Sequence, residues 1–204
     1  PEPARRELNH LSLPHLVRRP VVPPAEGARA PLLVLLHGLG ATEHMLFPVR
    51  HACAPEFTVV APRGPVAVGD QLDSFTGKRF GARARGWFHM RDLPGGGRAP
   101  DAGEAQAAWE HVTRFAREAA EAYDADPARV LVAGFSQGAM TALAALLTAP
   151  EVFAGAAALG GRLLPEVEPH VAAPDRLAGK AVLVAHGVGD PRVPVDDARR
   201  ARDV

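Results

Sequence analysis

Residues 130–138 read Val-Leu-Val-Ala-Gly-Phe-Ser-Gln-Gly, an apolar run that enters a Gly-x-Ser-x-Gly turn directly. The residues that follow, 139–147, are good helix formers, so the pattern predicts a strand, a sharp corner and a helix. Gly134 and Gly138 lack a Cβ and would let the strand and the helix pass close to that corner. Such a corner would present the hydroxyl of Ser136 as a nucleophile. The alternative is a plain Gly-Ser turn that only links a strand to a helix.

Short apolar runs alternate with helical stretches along the rest of the chain. The predicted strands are nearly continuously apolar, as expected for strands covered on both faces, and they span 32–36, 57–61, 130–133, 154–159 and 181–185. The predicted helices span 43–52, 102–123 and 137–148. This alternation predicts an α/β fold with a mostly parallel, doubly wound sheet flanked by helices, in one domain over residues 1–204. Residues 14–22 are expected to add an antiparallel edge strand.

The composition excludes several classes of partner. The 23 Lys and Arg residues balance the 23 Asp and Glu residues, so no overall field favours nucleic acid or an anionic membrane. No apolar run approaches the roughly 20 residues of a membrane span. Residues 1–6 lack a following apolar core, so we expect no signal peptide and a cytoplasmic location. The single cysteine, Cys53, excludes an internal disulfide and is interpreted as a buried or half-buried small residue.

A second glycine-containing segment follows the predicted strand 32–36. It reads His37-Gly38-Leu39-Gly40, and glycines at the carboxyl end of a strand let the backbone turn its amides toward a ligand. The N–H of Leu39 is therefore a candidate partner for the N–H of Gln137 in an oxyanion hole. Gln137 would begin the helix, where backbone amides have no intrahelical acceptor. His37 itself is interpreted as a structural residue that holds the loop rather than as a general base.

A candidate carboxylate follows the last predicted strand. Asp190 precedes a proline in the segment 186–194, where it could orient an imidazole. An Asp-Pro turn without a chemical role is the alternative. A divalent-metal site is a poorer interpretation, because Asp196 and Asp197 resemble the charged start of a helix.

The segment 64–100 is long, irregular and rich in Gly and Arg. Long loops inside compact α/β domains are usually functional or disordered, and this one would lie near the strand ends where ligands bind. Within it, Trp87 and Phe88 are interpreted, on the residues alone, as a hydrophobic anchor for the loop.

Five motifs occur in order along the chain: LLHGLG at 35–40, APRGP at 61–65, GWF at 86–88, GFSQGAM at 134–140 and HGVGDPRVP at 186–194. As a set they resemble the carboxylesterase/phospholipase family of α/β-hydrolases, which includes acyl-protein thioesterases. The resemblance implies Ser136 as nucleophile and Asp190 as the acid that orients a histidine. It also implies an oxyanion hole formed by the amides of Leu39 and Gln137, and it places Trp87 and Phe88 near the acyl pocket.

The resemblance also implies an activity. It implies a serine hydrolase that cleaves small-molecule or lipid esters, or thioesters, through an acyl-enzyme without a cofactor or metal. It leaves open ester against thioester, the acyl-chain length and the oligomeric state.

One part of the family's catalytic machinery is missing from these residues. The order in α/β-hydrolases is Ser, acid, then His, and the nine histidines here are at 10, 15, 37, 44, 51, 89, 111, 170 and 186, all before Asp190. Without a base, a serine hydroxyl is a poor nucleophile at neutral pH. We expect the histidine beyond Val204, with a final strand and helix whose absence would expose a sheet edge. The alternatives are an inactive ligand-binding protein of this fold, or substitution by His186 or His89.

Overall fold

The structure of the protein is a computed structural model, which describes residues 11–73, 76–94 and 98–202. Its strands are β1 (His15–Arg18), β2 (Ala30–Leu36), β3 (Thr58–Pro62), β4 (Val66–Ala67), β5 (Arg85–Gly86), β6 (Met90–Asp92), β7 (Arg98–Pro100), β8 (Ala125–Phe135), β9 (Gly155–Leu159) and β10 (Ala181–Ala185). Its α-helices are α1 (Ala102–Ala122), α2 (Gln137–Thr148), α3 (Pro174–Leu177) and α4 (Val195–Arg202). Two 3-10 helices span Phe47–His51 and Pro165–His170. In these ranges, no helix has both the length and the apolar composition of a membrane span.

Six strands form one sheet in the order β1-β3-β2-β8-β9-β10. All neighbours are parallel except β1, which pairs antiparallel with β3. The predicted mostly parallel sheet is therefore confirmed, and so is the antiparallel edge strand expected within residues 14–22. The register aligns the ends of four strands: Leu36 of β2 lies beside Gly134 of β8, and Leu159 of β9 lies between Phe135 of β8 and Ala185 of β10. The loops that follow these strands consequently share one edge of the sheet.

Both faces of the central strands are buried. Along β2, Leu32, Val34 and Leu36 contribute to the larger buried cluster, which includes residues of α1 and α2. Leu35 points to the other face, because successive side chains of a strand alternate, and it belongs to a smaller cluster with Phe47. The continuously apolar sequence of β2 is thus explained by cover on both sides.

The longest helix, α1, begins and packs as its sequence predicts. The Asp101 carboxylate accepts the backbone N–H of Glu104 at 3.1 Å, which caps the first turn. Trp109, Val112 and Phe115 recur at helical spacing and are at most 3% exposed. These residues are core, as expected, and they fix α1 against the sheet beside α2.

Three predictions need correction. The helix expected at 43–52 is replaced by turns and the 3-10 helix Phe47–His51, because Pro48 lacks an N–H and disfavours a helical residue before it. The segment 64–100 was expected to be irregular but contains two short antiparallel ribbons, β4 with β5 and β6 with β7. The last strand, β10, was expected to be covered on both faces, yet Val182 and Leu183 are 49% and 60% exposed. In the described chain β10 is an edge strand, so it lacks one neighbour.

Two smaller expectations are confirmed. Cys53 is half-buried, its Sγ lies 3.4 Å from the carbonyl of Val49, and burial raises the pKa of its thiol. Asp196 and Asp197 lie in the first turn of α4, where their carboxylates pair with arginines of the next turn. They are the charged start of a helix, which carboxylates stabilise through the helix dipole.

Candidate active site

Ser136 occupies a strained corner between β8 and α2. Its backbone has φ 53° and ψ −116°, a conformation that non-glycine residues rarely adopt. Its N–H donates to the carbonyl of Leu159 at 2.8 Å, and its carbonyl accepts the N–H groups of Ala139 and Met140 at 3.0 and 3.1 Å. The side chain makes no capping hydrogen bond to the helix. Neighbouring main chain therefore fixes the residue and leaves its hydroxyl available.

The two glycines of the Gly-x-Ser-x-Gly pattern are required by close packing at this corner. A Cβ at Gly134 would lie 2.1 Å from the carbonyl oxygen of Gly138, and a Cβ at Gly138 would lie 2.2 Å from that of Leu36. Both distances are far shorter than van der Waals contact, so any side chain there would push the strand and the helix apart. The glycines consequently hold the strained serine against the ends of β2 and β8, which favours a nucleophile corner over a plain turn.

The loop after β2 brings a second backbone amide to the corner. A Cβ at Gly38 would lie 3.5 Å from the Cβ of Ser136, so this loop runs beside the serine. The N–H of Gly40 donates to the carbonyl of Arg85 at 2.9 Å, which ties the loop to β5. Within the described residues, the N–H groups of Leu39 and Gln137 have no hydrogen-bond acceptor. Gln137 directly follows Ser136 and Leu39 lies in the adjacent loop, so these two unused donors are consistent with the oxyanion hole, which stays a prediction.

The side chain of Gln137 connects the two sides of the site. Its Oε1 accepts the backbone N–H of Trp87 at 2.8 Å, and its Nε2 donates to the carbonyl of Phe88 at 2.7 Å. Trp87 in turn donates its indole N–H to the carbonyl of His37 at 2.8 Å. This network holds the helix start, the Trp-Phe segment and the loop after β2 as one unit. The sequence indicated the backbone amide of Gln137 as an oxyanion-hole donor. It did not predict the hydrogen bonds that the Gln137 side chain makes.

Trp87 and Phe88 are each only 1% exposed. Their burial and their bonds to Gln137 agree with the interpretation as a hydrophobic loop anchor. A direct contact with an acyl chain, which the resemblance implies, stays a prediction.

His37 supports the loop through both ring nitrogens. Nε2 accepts the backbone N–H of Gly64 at 2.9 Å, so the proton is on Nδ1, which donates to the carbonyl of Gly38 at 2.8 Å. Burial lowers the pKa of His37, which keeps the ring neutral. Because its basic nitrogen is already bonded, His37 is structural, as expected, and is not a general base.

A buried ion pair lies behind the same loop and was missed at the sequence level. Glu43 is 3% exposed, and its carboxylate accepts Nε and Nη2 of Arg63 at 2.6 and 2.5 Å. Burial raises the pKa of Glu43 and is the largest single influence on it, but the hydrogen bonds and charge of Arg63, a backbone hydrogen bond and the charge of His44 together lower the pKa below its usual value. Arg63 directly precedes Gly64, which binds His37, so the pair fixes the support of the loop.

Asp190 lies at the same edge of the sheet as Ser136. Its Oδ1 accepts the backbone N–H groups of Val193 and Arg192 at 3.0 and 2.8 Å, and these bonds lower the pKa of the carboxyl. A Cβ at Gly160, the residue after β9, would lie 4.0 Å from Oδ2 and 3.4 Å from the ring of Phe135. The structure thus brings the predicted acid close to the serine corner, ionised and with Oδ2 directed to the end of β9.

The two histidines considered as substitutes are committed elsewhere. His186 places Nε2 2.7 Å from the carbonyl of Val193, to which it donates, and 3.7 Å from Oδ2 of Asp190. His89 bonds through Nδ1 to the carboxylate of Glu104 at 2.8 Å. Across residues 11–73, 76–94 and 98–202, no histidine hydrogen-bonds to Ser136. The geometry therefore gives no support to a substitute base.

Comparisons with known proteins show the family and the fold of the chain. A sequence profile of the Phospholipase/Carboxylesterase family matches residues 18–204. A probable carboxylesterase of Oryza sativa subsp. japonica is 32% identical in an alignment of 149 residues that covers 68% of this chain and 52% of that protein. The chain thus spans about half the length of this curated relative.

Two solved structures from other organisms share the fold. The carboxylesterase from Mesorhizobium loti is 25% identical with a TM-score of 0.68, over 98% of this chain and 82% of that one. The acyl-protein thioesterase 2 of Zea mays is 23% identical with a TM-score of 0.65, over 93% and 82% of the two chains, and this likeness shows the fold alone. With the profile match over nearly its whole length, the chain belongs to the Phospholipase/Carboxylesterase family and has the α/β-hydrolase fold.

Proposed function

We propose that this protein is a serine hydrolase that cleaves carboxylic esters or thioesters through an acyl-enzyme on Ser136. The observation that carries the proposal is the strained Ser136 corner with two unused amides beside it, those of Leu39 and Gln137. Family membership supports the reaction class. The relatives from Oryza sativa and Mesorhizobium loti are named as carboxylesterases, which supports acyl transfer to water.

The proposed reaction uses the chain's own groups in sequence. Ser136 Oγ attacks the acyl carbonyl and gives its proton to an imidazole, while the amides of Leu39 and Gln137 bind the oxyanion. The alcohol or thiol leaves with that proton, and water then hydrolyses the acyl-enzyme by the same route. Asp190 would orient the imidazole and stabilise its charged form, because Oδ2 is not occupied by the backbone bonds that fix Oδ1. This chemistry requires no metal or cofactor.

We propose further that the imidazole comes from residues that follow Val204. Asp190 lies at the strand ends, while none of the histidines that the structure describes hydrogen-bonds to Ser136. The exposed apolar strand β10 supports further cover on this side of the sheet. The intact mass of the protein purified from its native host tests this. A larger mass, together with a peptide that continues past Val204 and contains a histidine, supports it; a native C-terminus mapped to Val204 would contradict it.

An active-site probe tests the nucleophile directly. A fluorophosphonate should label the full-length protein on Ser136, and labelling should disappear in Ser136→Ala. Ser12→Ala is a matched control, because Ser12 is exposed and lies far from the corner in the fold, and it should label as the wild type does. A folded full-length protein that takes no label would contradict the proposal and favour an inactive binding protein of this fold.

Turnover then defines the substrate class. We expect hydrolysis of p-nitrophenyl esters of short and medium acyl chains, and a parallel assay on an acyl thioester separates esterase from thioesterase activity. If Ser136 carries both reactions, Ser136→Ala should abolish both to the same extent.

A further inference from the structure

We propose that the site selects esters that carry a carboxylate, and that Arg162 binds this negative charge. This proposal rests on the proposed function, since it names the substrate class of the same site. The charge could be in the acyl or in the alcohol half of the ester, and the experiment below separates the two.

Arg162 lies next to the serine corner. The segment after β9 packs against that corner, because a Cβ at Gly161 would lie 2.9 Å from the carbonyl oxygen of Ser136 and 2.5 Å from the Cβ of Ala139. Arg162 is the next residue, and its Nη2 lies 3.5 Å from the carbonyl of Arg98 in β7. The side chain therefore spans from the corner to the β6–β7 ribbon, which follows the Trp-Phe segment.

The guanidinium of Arg162 is poorly bonded for its burial. The residue is half-buried, and its Nε is fully buried without a hydrogen-bond partner in the part of the chain that the structure describes. Within the same part of the chain, no carboxylate lies within 4.0 Å of it, and the contact with Arg98 is long. A guanidinium has five N–H donors, and leaving a charged donor buried and unbonded is costly. A bound anion would remove that cost.

Other arginines around the site already have carboxylate partners. Arg63 pairs with Glu43, and Arg192 pairs with Asp73 at 3.2 Å. Arg98, the neighbour of Arg162, lies 3.1 Å from the carboxylate of Asp92. Among the described residues, the guanidinium of Arg162 differs from these three in having no carboxylate partner, and its planar fork matches a carboxylate in a two-point bond.

Glu166 is an alternative partner for Arg162 within the protein itself. Its Oε2 is also buried without a partner among the described residues, and it lies four positions after Arg162. Nε of Arg162 and Oε2 of Glu166 nevertheless do not bond to each other, because neither atom has a hydrogen-bond partner among the described residues. If Glu166 were the true partner, the stability effects of Arg162→Gln and Glu166→Gln would be strongly non-additive; if a substrate is the partner, they should add.

The test uses matched pairs of esters on the full-length protein. For the acyl half, kcat/KM is measured for mono-p-nitrophenyl adipate and p-nitrophenyl hexanoate. For the alcohol half, it is measured for m-carboxyphenyl hexanoate and its methyl ester. In one pair, we expect Arg162→Gln to lower kcat/KM for the charged ester by about 10- to 100-fold, the worth of a charged hydrogen bond, and to change the neutral ester by less than about 3-fold. Arg83→Gln removes an exposed positive charge beside the site. In both pairs it should leave the ratio of kcat/KM for the charged ester to that for the neutral ester unchanged.

Two further readouts keep this inference separate from the proposed function. Fluorophosphonate labelling of Arg162→Gln should equal that of the wild type, because the nucleophile is untouched. In a Ser136→Ala background, which prevents turnover, the charged ester of one pair should raise the melting temperature more than its neutral partner does, and the difference should vanish when Arg162→Gln is added. An unlabelled wild type would overturn the proposed function. If the wild type is labelled but Arg162→Gln changes neither the ratio of kcat/KM for charged and neutral esters nor the melting shifts, the inference is overturned. Strongly non-additive stability effects of Arg162→Gln and Glu166→Gln would also overturn it.

Discussion

Gly138 is the residue on which the geometry of the serine corner most depends. Its Cα lies so close to the end of β2 that a Cβ would stand 2.2 Å from the carbonyl oxygen of Leu36 and 2.6 Å from that of His37. Those atoms are backbone of a central strand and its loop, so they have little freedom to move. The spacing between Ser136 and the amide of Leu39 is set by this contact.

Gly138→Ala should therefore disturb the whole site. We expect the free energy of unfolding to fall by about 3 kcal/mol or more, which is at the upper end for overpacking, with loss of fluorophosphonate labelling. Urea denaturation followed by tryptophan fluorescence measures the first effect. Gly187→Ala is the control, because no atom lies within 4 Å of its added Cβ, and it should change stability by less than about 1 kcal/mol. Equal free energies of unfolding for Gly138→Ala and Gly187→Ala would contradict the close packing of Gly138 against Leu36.

Asp190 should act on rate and not on folding. Asp190→Asn keeps an oxygen that can accept the N–H groups of Arg192 and Val193, but it cannot stabilise an imidazolium. We expect kcat for a p-nitrophenyl ester to fall by roughly 10⁴-fold with little change in KM, as in other triads. Steady-state kinetics on the full-length protein tests this against Asp175→Asn, a change at an exposed residue of α3. A loss below about 10-fold would remove Asp190 from the proposed triad.

At the scale of elements, the segment between β2 and β3 differed most from its prediction. Local helix-forming residues indicated a helix at 43–52, but Glu43 instead turns inward to meet Arg63, a residue after β3. That contact joins residues 20 positions apart, and no local pattern contains it. The strands and the helices α1 and α2 were predictable because their apolar spacing is itself the signal.

The Glu43–Arg63 pair should be a strong local stabiliser. Arg63→Met leaves a buried carboxylate without its donors and should lower the free energy of unfolding by about 1–3 kcal/mol at neutral pH. Arg79→Met removes an exposed pair with Asp70 and should cost no more than about 0.5 kcal/mol. Chemical denaturation of the three proteins compares them, and a similar small loss in both variants would contradict a structural role for the buried pair.

The same pair predicts a pH dependence. The pKa of Glu43 is lowered in the folded state, so its contribution is present above the unfolded pKa of about 4.3 and is lost as the pH falls through the folded value. The stability difference between wild type and Arg63→Met should therefore shrink as the pH falls below about 4. Denaturation curves between pH 3 and pH 7 measure the difference. A gap that is constant or grows toward low pH would contradict this assignment.

On the scale of the whole molecule, β10 is the least protected element. Its register with β9 is complete, yet Val182 and Leu183 are about half exposed and its outer edge has no partner among the described strands. An exposed apolar edge strand promotes association between copies. In a protein limited to residues 1–204, Leu183→Lys should therefore reduce aggregation in light scattering, with Val188→Lys, at an exposed loop residue, as the control. Equal scattering from both variants would contradict an exposed, adhesive edge.

The fold and the main candidate site residues could be predicted from the sequence. The contacts that hold those residues in place could not. The order of the motifs sufficed for the sheet, and for placing Ser136 and Asp190 at one edge. The bond from Gln137 to Trp87 depends on where distant loops meet, and so does the burial of the Arg162 Nε, which has no partner among the described residues. Such contacts leave no periodic trace in the chain, so only the three-dimensional structure reveals them.

The proposed reaction requires that Ser136 becomes acylated during turnover. The most direct measurement is rapid quenching of the full-length protein mixed with p-nitrophenyl butyrate, followed by intact and peptide mass spectrometry. We predict a transient adduct of one butyryl group on the peptide that contains Ser136, absent in Ser136→Ala. Ester hydrolysis without any adduct on that peptide, or with the adduct on another residue, would contradict the account.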